Sequence, residues 1–531
     1  MARAIDAKFK RSYKDEYDAL YEAVFGHRPP ADDDKAYGSE DAEADELYKM
    51  VKLYDSSRVQ LSLNKVRQDE SIQEVHQFGW ATLPDLLLEN VFSHLNMQEK
   101  YWASMVCRSW YRAFYLGNSW RTFVFDDKTL TRRRYNYYSG WQYMLDHLRS
   151  EMYLKIVGRH IRTLIFLPVT NFHNLYEFMN MISFYAEQRS QLGTTGMHGI
   201  GSLVRSLQYT FPCNMATRNE TRLYGTGGKL LDALKRLMRN LSSLRDLRLV
   251  DLMLDTNEAL HLLDDVCYSH CLNMKRLELV NISKVQCPLL HVGVFLNLQV
   301  LTISPQSLDD DVLFLLTHTS LRHLHIIQNS YTPTDVIPVS RRAWLTVKQQ
   351  SPKMRVHLHI KSHAYQDLIW QNSAPVNSIL INSPQIAAKP DFLADAVDNF
   401  KKTLRIFGHL SIPRGYQPRA FNERIDSHLL YLCHKCLNLH TLIIRDKIST
   451  ATILLIAFFT KKLKFLHVRK NAVILRSDWA RNPDWSEDLY TWIKTTSRSY
   501  QATETEVSSI LGYRWKMLTD KEFLRIDSQT L

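Results

Sequence analysis

One phrase recurs along this chain, Leu-x-x-Leu-x-Leu, and it limits the fold more than any other feature. Its fullest copies are Leu241-Ser-Ser-Leu-Arg-Asp-Leu247-Arg-Leu249, Cys271-Leu-Asn-Met-Lys-Arg-Leu277-Glu-Leu279, Phe295-Leu-Asn-Leu-Gln-Val-Leu301-Thr-Ile303 and Cys436-Leu-Asn-Leu-His-Thr-Leu442-Ile-Ile444. Leu321–Ile326 and Leu463–Val468 keep its core, and weaker copies lie at Ile161–Phe166, Val356–Ile360, Val376–Ile381 and Leu404–Phe407. Leu-x-Leu alternation sends every second residue to the core and the residues between them outward, which is the pattern of a strand. Helix-prone stretches precede several copies, at Glu258–Val266, Asp310–Leu316, Ser427–Leu432 and Thr452–Phe459. One helix and one strand per unit, stacked, predict a parallel sheet with helices on its other side.

Such units resemble leucine-rich repeats. The spacing between copies is irregular, roughly from the low twenties to the mid thirties, so some units carry insertions. The predicted fold is an α/β solenoid, a leucine-rich-repeat horseshoe over residues 160–477. The last x of each phrase points to solvent on the concave side: Arg248, Glu278, Thr302, His325, Ile443 and His467, with His359 in a weaker copy. Neighbouring x positions add Arg245, Lys275, Arg276, Arg322, His323, His440 and Lys464, against the acids Glu278 and Asp246. Arg pairs bidentately with carboxylates and phosphates, so this face is read as a site for an acidic or phosphorylated segment. The competing reading is a strand face kept soluble by its charges.

Residues 83–95 have a different character. Leu87, Leu88, Val91, Phe92 and Leu95 share one helical face, and Pro84 falls in the first turn, where its missing N–H costs little. Asn96 ends this helix and opens a second, with Glu99 three residues on as in a capping box. Trp110 to Leu116 predicts a third short helix, stopped at Gly117-Asn118. Three short helices leave apolar surface uncovered, which marks a partner site unless a later domain covers it.

These residues are similar to the F-box motif in order and spacing: Leu83-Pro84, Leu87-Leu88, Val91-Phe92, Leu95, Ser104-Met105-Val106-Cys107-Arg108, Trp110 and Trp120. Leu86 departs from the family, which commonly has Glu there. The resemblance implies a trihelical module over 79–122 that binds a Skp-type adaptor and, through it, a cullin. The implied contact residues are Leu83, Pro84, Leu87, Leu88, Val91, Phe92, Leu95, Val106 and Trp110.

The rest of the chain is less specific. Residues 1–78 alternate acidic and basic runs and are expected to form a mobile or loosely docked arm, and residues 123–159 a linker with a helix. Trp479, Trp485, Trp492 and Trp515 punctuate a polar tail over 478–531, read as a cap on the last repeat or as a separate binding module. The net charge of +12 is spread along the chain and permits acidic partners without requiring them. The N-terminus has no apolar signal region, and the longest notable apolar run, Ala451 to Phe459, is too short to span a bilayer.

Seven cysteines, several in repeat register, predict free thiols in a cytoplasmic or nuclear setting. Cys433-His-Lys-Cys436 lacks the second pair that a zinc finger needs. Gly225 to Lys229 lacks the first Gly and the hydroxyl of a phosphate loop. Arg132-Arg133-Arg134, with Tyr135, Tyr137 and Tyr138, has no nucleic-acid module around it. The sequence therefore predicts no catalytic residue, no metal and no cofactor. The reading is a non-enzymatic substrate receptor of a Skp-cullin-F-box ubiquitin ligase. A non-degradative repeat scaffold and a basic nucleic-acid-binding repeat protein stand as alternatives.

Overall fold

A computed structural model describes residues 79–137, 140–191, 199–216, 221–361, 367–415 and 417–526. The N-terminal arm and most of Gly193–Gly201, whose composition is that of a flexible surface loop, lie outside these. The chain divides into two compact units, residues 1–212 with 227–244 and residues 213–226 with 245–531.

Among the described residues, the first unit opens with three short helices after a 3-10 turn, α1 (Asp85–His94), α2 (Met97–Ser104) and α3 (Arg108–Phe114). The Asn96 capping box forms: Glu99 N donates to Asn96 Oδ1 at 2.8 Å, and Asn96 N donates to Glu99 Oε2 at 2.8 Å. Two otherwise orphaned donors are thereby satisfied at a sharp turn. The core of this module is Leu88, Phe92, Tyr101, Ala113, Phe114 and Trp120. Phe92 meets the edge of Trp110, with ring centroids 6.0 Å apart. The predicted stop at Gly117-Asn118 works differently from a C-cap. The helix ends at Phe114, and Asn118 is tied to α1 through its N–H and side-chain amide, both donating to the Glu89 carboxylate.

Residues 123–159 are more ordered than a linker. They contain most of β1 (Thr122–Phe125), a hairpin of β2 (Thr131–Asn136) and β3 (Gly140–Leu145), and α4 (His147–Val157). β4 (Thr163–Phe166) pairs in parallel with β1. After α5 (Phe172–Gln191), β5 (Ser206–Thr210) pairs with β4. α6 (Gly228–Arg239) packs on α5, where Arg236 Nε donates to Glu187 Oε1 at 2.9 Å. The alternation in Thr122-Phe-Val-Phe125 explains the early strand: Phe123 and Phe125 are buried, and both lie against Phe178 of α5. The repeat-like architecture thus starts before residue 160, in a copy that uses Phe where later copies use Leu.

The second unit opens with a hairpin, β6 (Asn214–Ala216) and β7 (Thr221–Leu223), and continues with one parallel ladder. Its strands are β8 (Asp246–Val250), β9 (Arg276–Val280), β10 (Val300–Ile303), β11 (His323–Gln328), β12 (Arg355–Lys361), β13 (Val376–Asn382), β14 (Ile406–His409) and β15 (Thr441–Ile444). After a short β16 (Ile448–Ser449) the ladder ends on β17 (Phe465–Val468), and β16 pairs with β18 (Val473–Ile474). Helices intervene: α7 (Thr256–His270), α8 (Asp310–Leu316), α9 (Arg341–Gln350), α10 (Pro390–Phe400), α11 (Asp426–Lys435) and α12 (Thr450–Phe459). Each repeat phrase supplies the expected inward pair, as Leu247 and Leu249, Leu277 and Leu279, or Leu301 and Ile303, all essentially buried. Full burial of a Leu contributes roughly 1.5–3 kcal/mol.

The tail adds α13 (Glu487–Thr496), α14 (Tyr500–Leu511) and one turn, α15 (Asp520–Phe523). Ile493, with Trp479, Trp485, Leu489 and Trp492, packs on Ala451 and Leu455 of α12. Trp479 Nε1 donates to Thr452 Oγ1 at 2.8 Å. Gly512, at φ 76°, turns the chain after α14. The following segment crosses the strand side, where Trp515 Nε1 donates to the Leu466 carbonyl at 2.6 Å and Leu518 N to that of Val468 at 2.9 Å.

Candidate functional site

The three-helix module divides the expected adaptor residues by their place on α1. Leu88 and Phe92 are wholly buried. They form the module's own core and are removed from the contact set, because a buried side chain has no surface to offer. Leu87 (49% exposed), Val91 (38%) and Val106 (67%) remain outside, as does Pro84 at the N-cap of α1. Leu83, Leu95 and Trp110 are half-buried. Trp110 Nε1 donates to the Trp80 carbonyl at 3.0 Å, so Trp110 also pins the entry to the module.

The contact set implied by the motif left out four exposed apolar neighbours: Trp80, Leu86, Trp102 and Met105. For Leu86 and Trp102 the signal was present in the helical period, since α1 and α2 bury apolar residues on one face only. Lys100 lies on the other side of α2. It is buried, its ammonium sits 4.8 Å from the Trp120 ring, and burial lowers its pKa to about 8.

On the strand side of the second unit, the ladder register aligns four predicted residues. Arg248 pairs with Glu278, Glu278 with Thr302, and Thr302 with His325. The row then continues through His357 and Ser378, which the phrase did not identify because β12 is a degraded copy with a register shift between Val356 and His357. His467 belongs to a different row, beside Ile443 on β15.

Two of the outward positions are corrected. Ile443 is 1% exposed and lies in a cluster with Leu380, Leu410 and Phe523, flanked by Ile406, Leu518 and Ile526. His359 is also buried. Alternation put both on the strand face, and both are on it, but at β15 the face is covered by the chain's own tail.

The charges are less free than the sequence implies. Arg248 Nε lies 3.3 Å from Glu278 Oε1, and Arg276 Nε lies 4.0 Å from Asp246 Oδ1. Burial pushes the pKa of His325 down to about 4, His359 to about 3 and His357 to about 2, and it lowers His323 and His467 as well. These rings are neutral at pH 7. The exposed cations instead lie where the chain enters the strands. Backbone bonds run from Lys275 N to Arg245 O, Gln299 N to Lys275 O, Arg322 N to Gln299 O and Arg355 N to Arg322 O. Arg245, Lys275, Arg322 and Arg355 thus form an exposed basic rim, continued by Arg405, His440 and Lys464.

The seven cysteines are free thiols. Cys433 and Cys436 are buried, and desolvation raises both pKa values to about 12, which opposes thiolate formation.

Comparison with known proteins adds the following. Residues 80–122 match the family model of the F-box domain. The F-box/LRR-repeat protein 21 of Mus musculus is 21% identical over 300 residues, which cover 54% of this chain and 62% of that protein. The chain thus spans under two thirds of this curated relative. Among solved structures, an internalin from Listeria monocytogenes aligns over 75% of this chain and 94% of its own at 13% identity, with a TM-score of 0.28. That superposition is too loose to bear on the fold, which rests on the parallel ladder itself.

Proposed function

We propose that this chain, an F-box protein with leucine-rich repeats, is the substrate-recognition subunit of a Skp-cullin-F-box ubiquitin ligase. Its F-box would bind a Skp-type adaptor, and its strand face would hold the protein to be modified. The observation that carries this reading is the apolar surface of Leu87, Val91, Met105 and Val106 on a module whose own core is already filled. Exposed clusters of this kind mark protein contacts. Each such side chain is worth up to roughly 1.5–3 kcal/mol when a partner buries it. The mechanism is proximity: a bound substrate meets the ubiquitin-loaded enzyme at raised effective concentration. It asks no bond chemistry of this chain and no cofactor.

The basic rim favours an acidic or phosphorylated substrate segment, with Arg322 on the rim and the exposed Arg276 beside it as central contacts and Arg248, Glu278, Thr302, His325 and His467 lining the face. Cytoplasm or nucleus is the setting this role requires. Among the described residues no helix is long and apolar enough to cross a membrane.

The test is capture of a purified Skp-type adaptor. Leu87→Ala with Val91→Ala should weaken it about tenfold or more while the thermal midpoint stays near that of the parent. Unchanged capture by the folded variant would sink the adaptor role. Charge reversal at Arg276, Arg322 and Arg355 should abolish capture of acidic peptides and leave adaptor binding intact. A repeat scaffold that degrades nothing would pass both tests and fail a reconstituted ubiquitination assay.

A further inference from the structure

Four imidazoles meet on two neighbouring strands, His323 and His325 on β11 and His357 and His359 on β12. The register sets His325 directly against His357. Their rings stack with centroids 4.3 Å apart and planes 13° from parallel. His323 Nδ1 lies 3.0 Å from His357 Nε2, and His325 Nδ1 lies 3.1 Å from His359 Nε2. On its far side, His357 Nδ1 lies 2.7 Å from Ser378 Oγ. His323, His325 and His357 each bring one ring nitrogen to within 4.8 Å of the others'.

A solvated strand face does not account for this arrangement. His357 is 8% exposed and His359 7%. Side chains that only keep a face soluble stand in water. Two nearly buried imidazoles, paired with two half-buried ones, form instead a preorganised set of neutral nitrogen donors. Neutral imidazole is the form that binds metal.

We infer that His323, His325 and His357 form a site for a divalent transition-metal ion of the zinc class. Ser378 and His359 are the outer partners that orient two of the ligands. Metal-bound imidazoles almost always place their second ring nitrogen in a hydrogen bond, and Ser378 already occupies that position for His357. The 3.0 Å between His323 Nδ1 and His357 Nε2 suits two ligands of one ion, each about 2.0–2.1 Å from it. The proton now shared between them must leave that line. Moving it to His323 Nε2 frees both lone pairs without changing the charge of either ring. In the tetrahedral arrangement such an ion takes, two nitrogens lie about 3.3–3.4 Å apart, so the widest pair, within 4.8 Å, closes by up to about 1.4 Å through ring rotation.

The charged groups acting on these rings are cations, Arg322, Arg355 and Lys361. Imidazole nitrogens select ions that prefer them over the hard, oxygen-seeking calcium and magnesium, while the surrounding cations oppose every divalent ion alike. Three ligands leave a fourth position for water or for an anionic group of a partner. The site stands whether or not the chain serves as a substrate receptor.

The experiment uses the full chain, without a polyhistidine tag, stripped by chelator. Zn2+ is titrated in competition with a chromophoric chelator, and Co2+ serves as the spectroscopic probe. One ion should bind per chain, and His325→Gln or His357→Gln should each weaken it about a hundredfold. Ser378→Ala should weaken it about tenfold. His434→Gln, on the exposed end of α11, should change nothing. Bound Co2+ should show d–d bands with no sulfur charge-transfer band. Because His357 is buried and its replacement can cost the fold, the unaltered chain supplies a second readout: Zn2+ should protect half-exposed His323 from carbethoxylation, read by mass spectrometry. Undiminished Zn2+ affinity in the folded histidine variants, a sulfur charge-transfer band, or unprotected His323 at saturating Zn2+ would each overturn the site.

Discussion

The strand face of the second unit is two surfaces built on one backbone plan. From β8 to β12 one outward row is Arg248, Glu278, Thr302, His325 and His357. From β13 to β15 the outward residues include Leu380, Gly408 and Ile443, and the tail segment after Gly512 lies on them through Phe523, Leu518 and Ile526. Both halves have the same parallel ladder and the same inward pairs. The two sets lie on different rows of the ladder, since Leu380, Gly408 and Ile443 continue the row of Ile327 and His359 rather than that of His325 and His357, and it is on this second row that Phe523 of the tail packs. An outward position in a repeat is therefore a place rather than an exposure.

The largest test of this contrast removes the cover. Phe523 is fully buried on Ile443, so Phe523→Ala should cost about 3–5 kcal/mol of the tail's attachment. Limited proteolysis between Gly512 and Ile526 should become fast, while exchange of the β9 and β10 amides stays slow. If cleavage in the tail does not accelerate, Phe523 is not what holds it.

The second test concerns the helix side of the apolar half, where His409 is buried beside Phe407 and Phe392. Burial lowers its pKa from 6.5 to about 4, with Asp446 opposing and Arg445 assisting the shift. The unfolded chain binds a proton at this ring from pH 6.5 downward, and the folded chain does not until about pH 4. Its contribution is therefore whole above pH 6.5 and falls with acidification by up to about 1.4 kcal/mol per pH unit. Denaturant titrations from pH 7 to 5 should show that slope reduced by one proton in His409→Leu. A slope equal to the parent's would mean the ring is protonated in the fold.

Gly408 offers a smaller test. It faces Ile443 across the β14–β15 pair, and a Cβ there would lie 2.6 Å from the Ile443 Cβ. Gly408→Ala should push Ile443 toward Phe523 and cost about 1–3 kcal/mol by overpacking. A neutral thermal midpoint would show slack between strand face and tail. The smallest effect belongs to the open half. Glu278→Gln breaks a partly exposed pair with Arg248, worth under about 1 kcal/mol to stability. It should leave the melting temperature nearly unchanged while strengthening retention of acidic peptides, measured as a lower Kd. Weaker retention would mean that Glu278 itself contacts the ligand.

Much of this molecule was legible beforehand. Helices expected from Glu258, Asp310, Ser427 and Thr452 are observed as α7, α8, α11 and α12, because a helical period and a strand period read differently within a few residues. The Asn96–Glu99 capping box is equally local, and it forms. The row Arg248, Glu278, Thr302 and His325 was legible because a strong repeat preserves register from copy to copy. His357 was not, because the phrase is worn in β12 and a bulge shifts its pairing. β1 was hidden for a related reason: Phe123 and Phe125 keep the alternation but not the leucines.

What the sequence by itself determined is the set of local elements and the faces they turn inward. Period, caps and the repeated Leu-x-Leu need only neighbours a few residues apart. What the tertiary structure alone decided is which outward positions stay outward. Phe523 reaches Ile443 across a long stretch of intervening chain, and Arg424 lies buried between Asp426 and Asp478, which no local pattern announces. The same holds for four histidines that the sequence separates into two pairs and the β11–β12 ladder gathers into one cluster. Contacts between distant segments depend on how the stacked units carry them together, and that is a property of the assembled sheet rather than of any stretch within it.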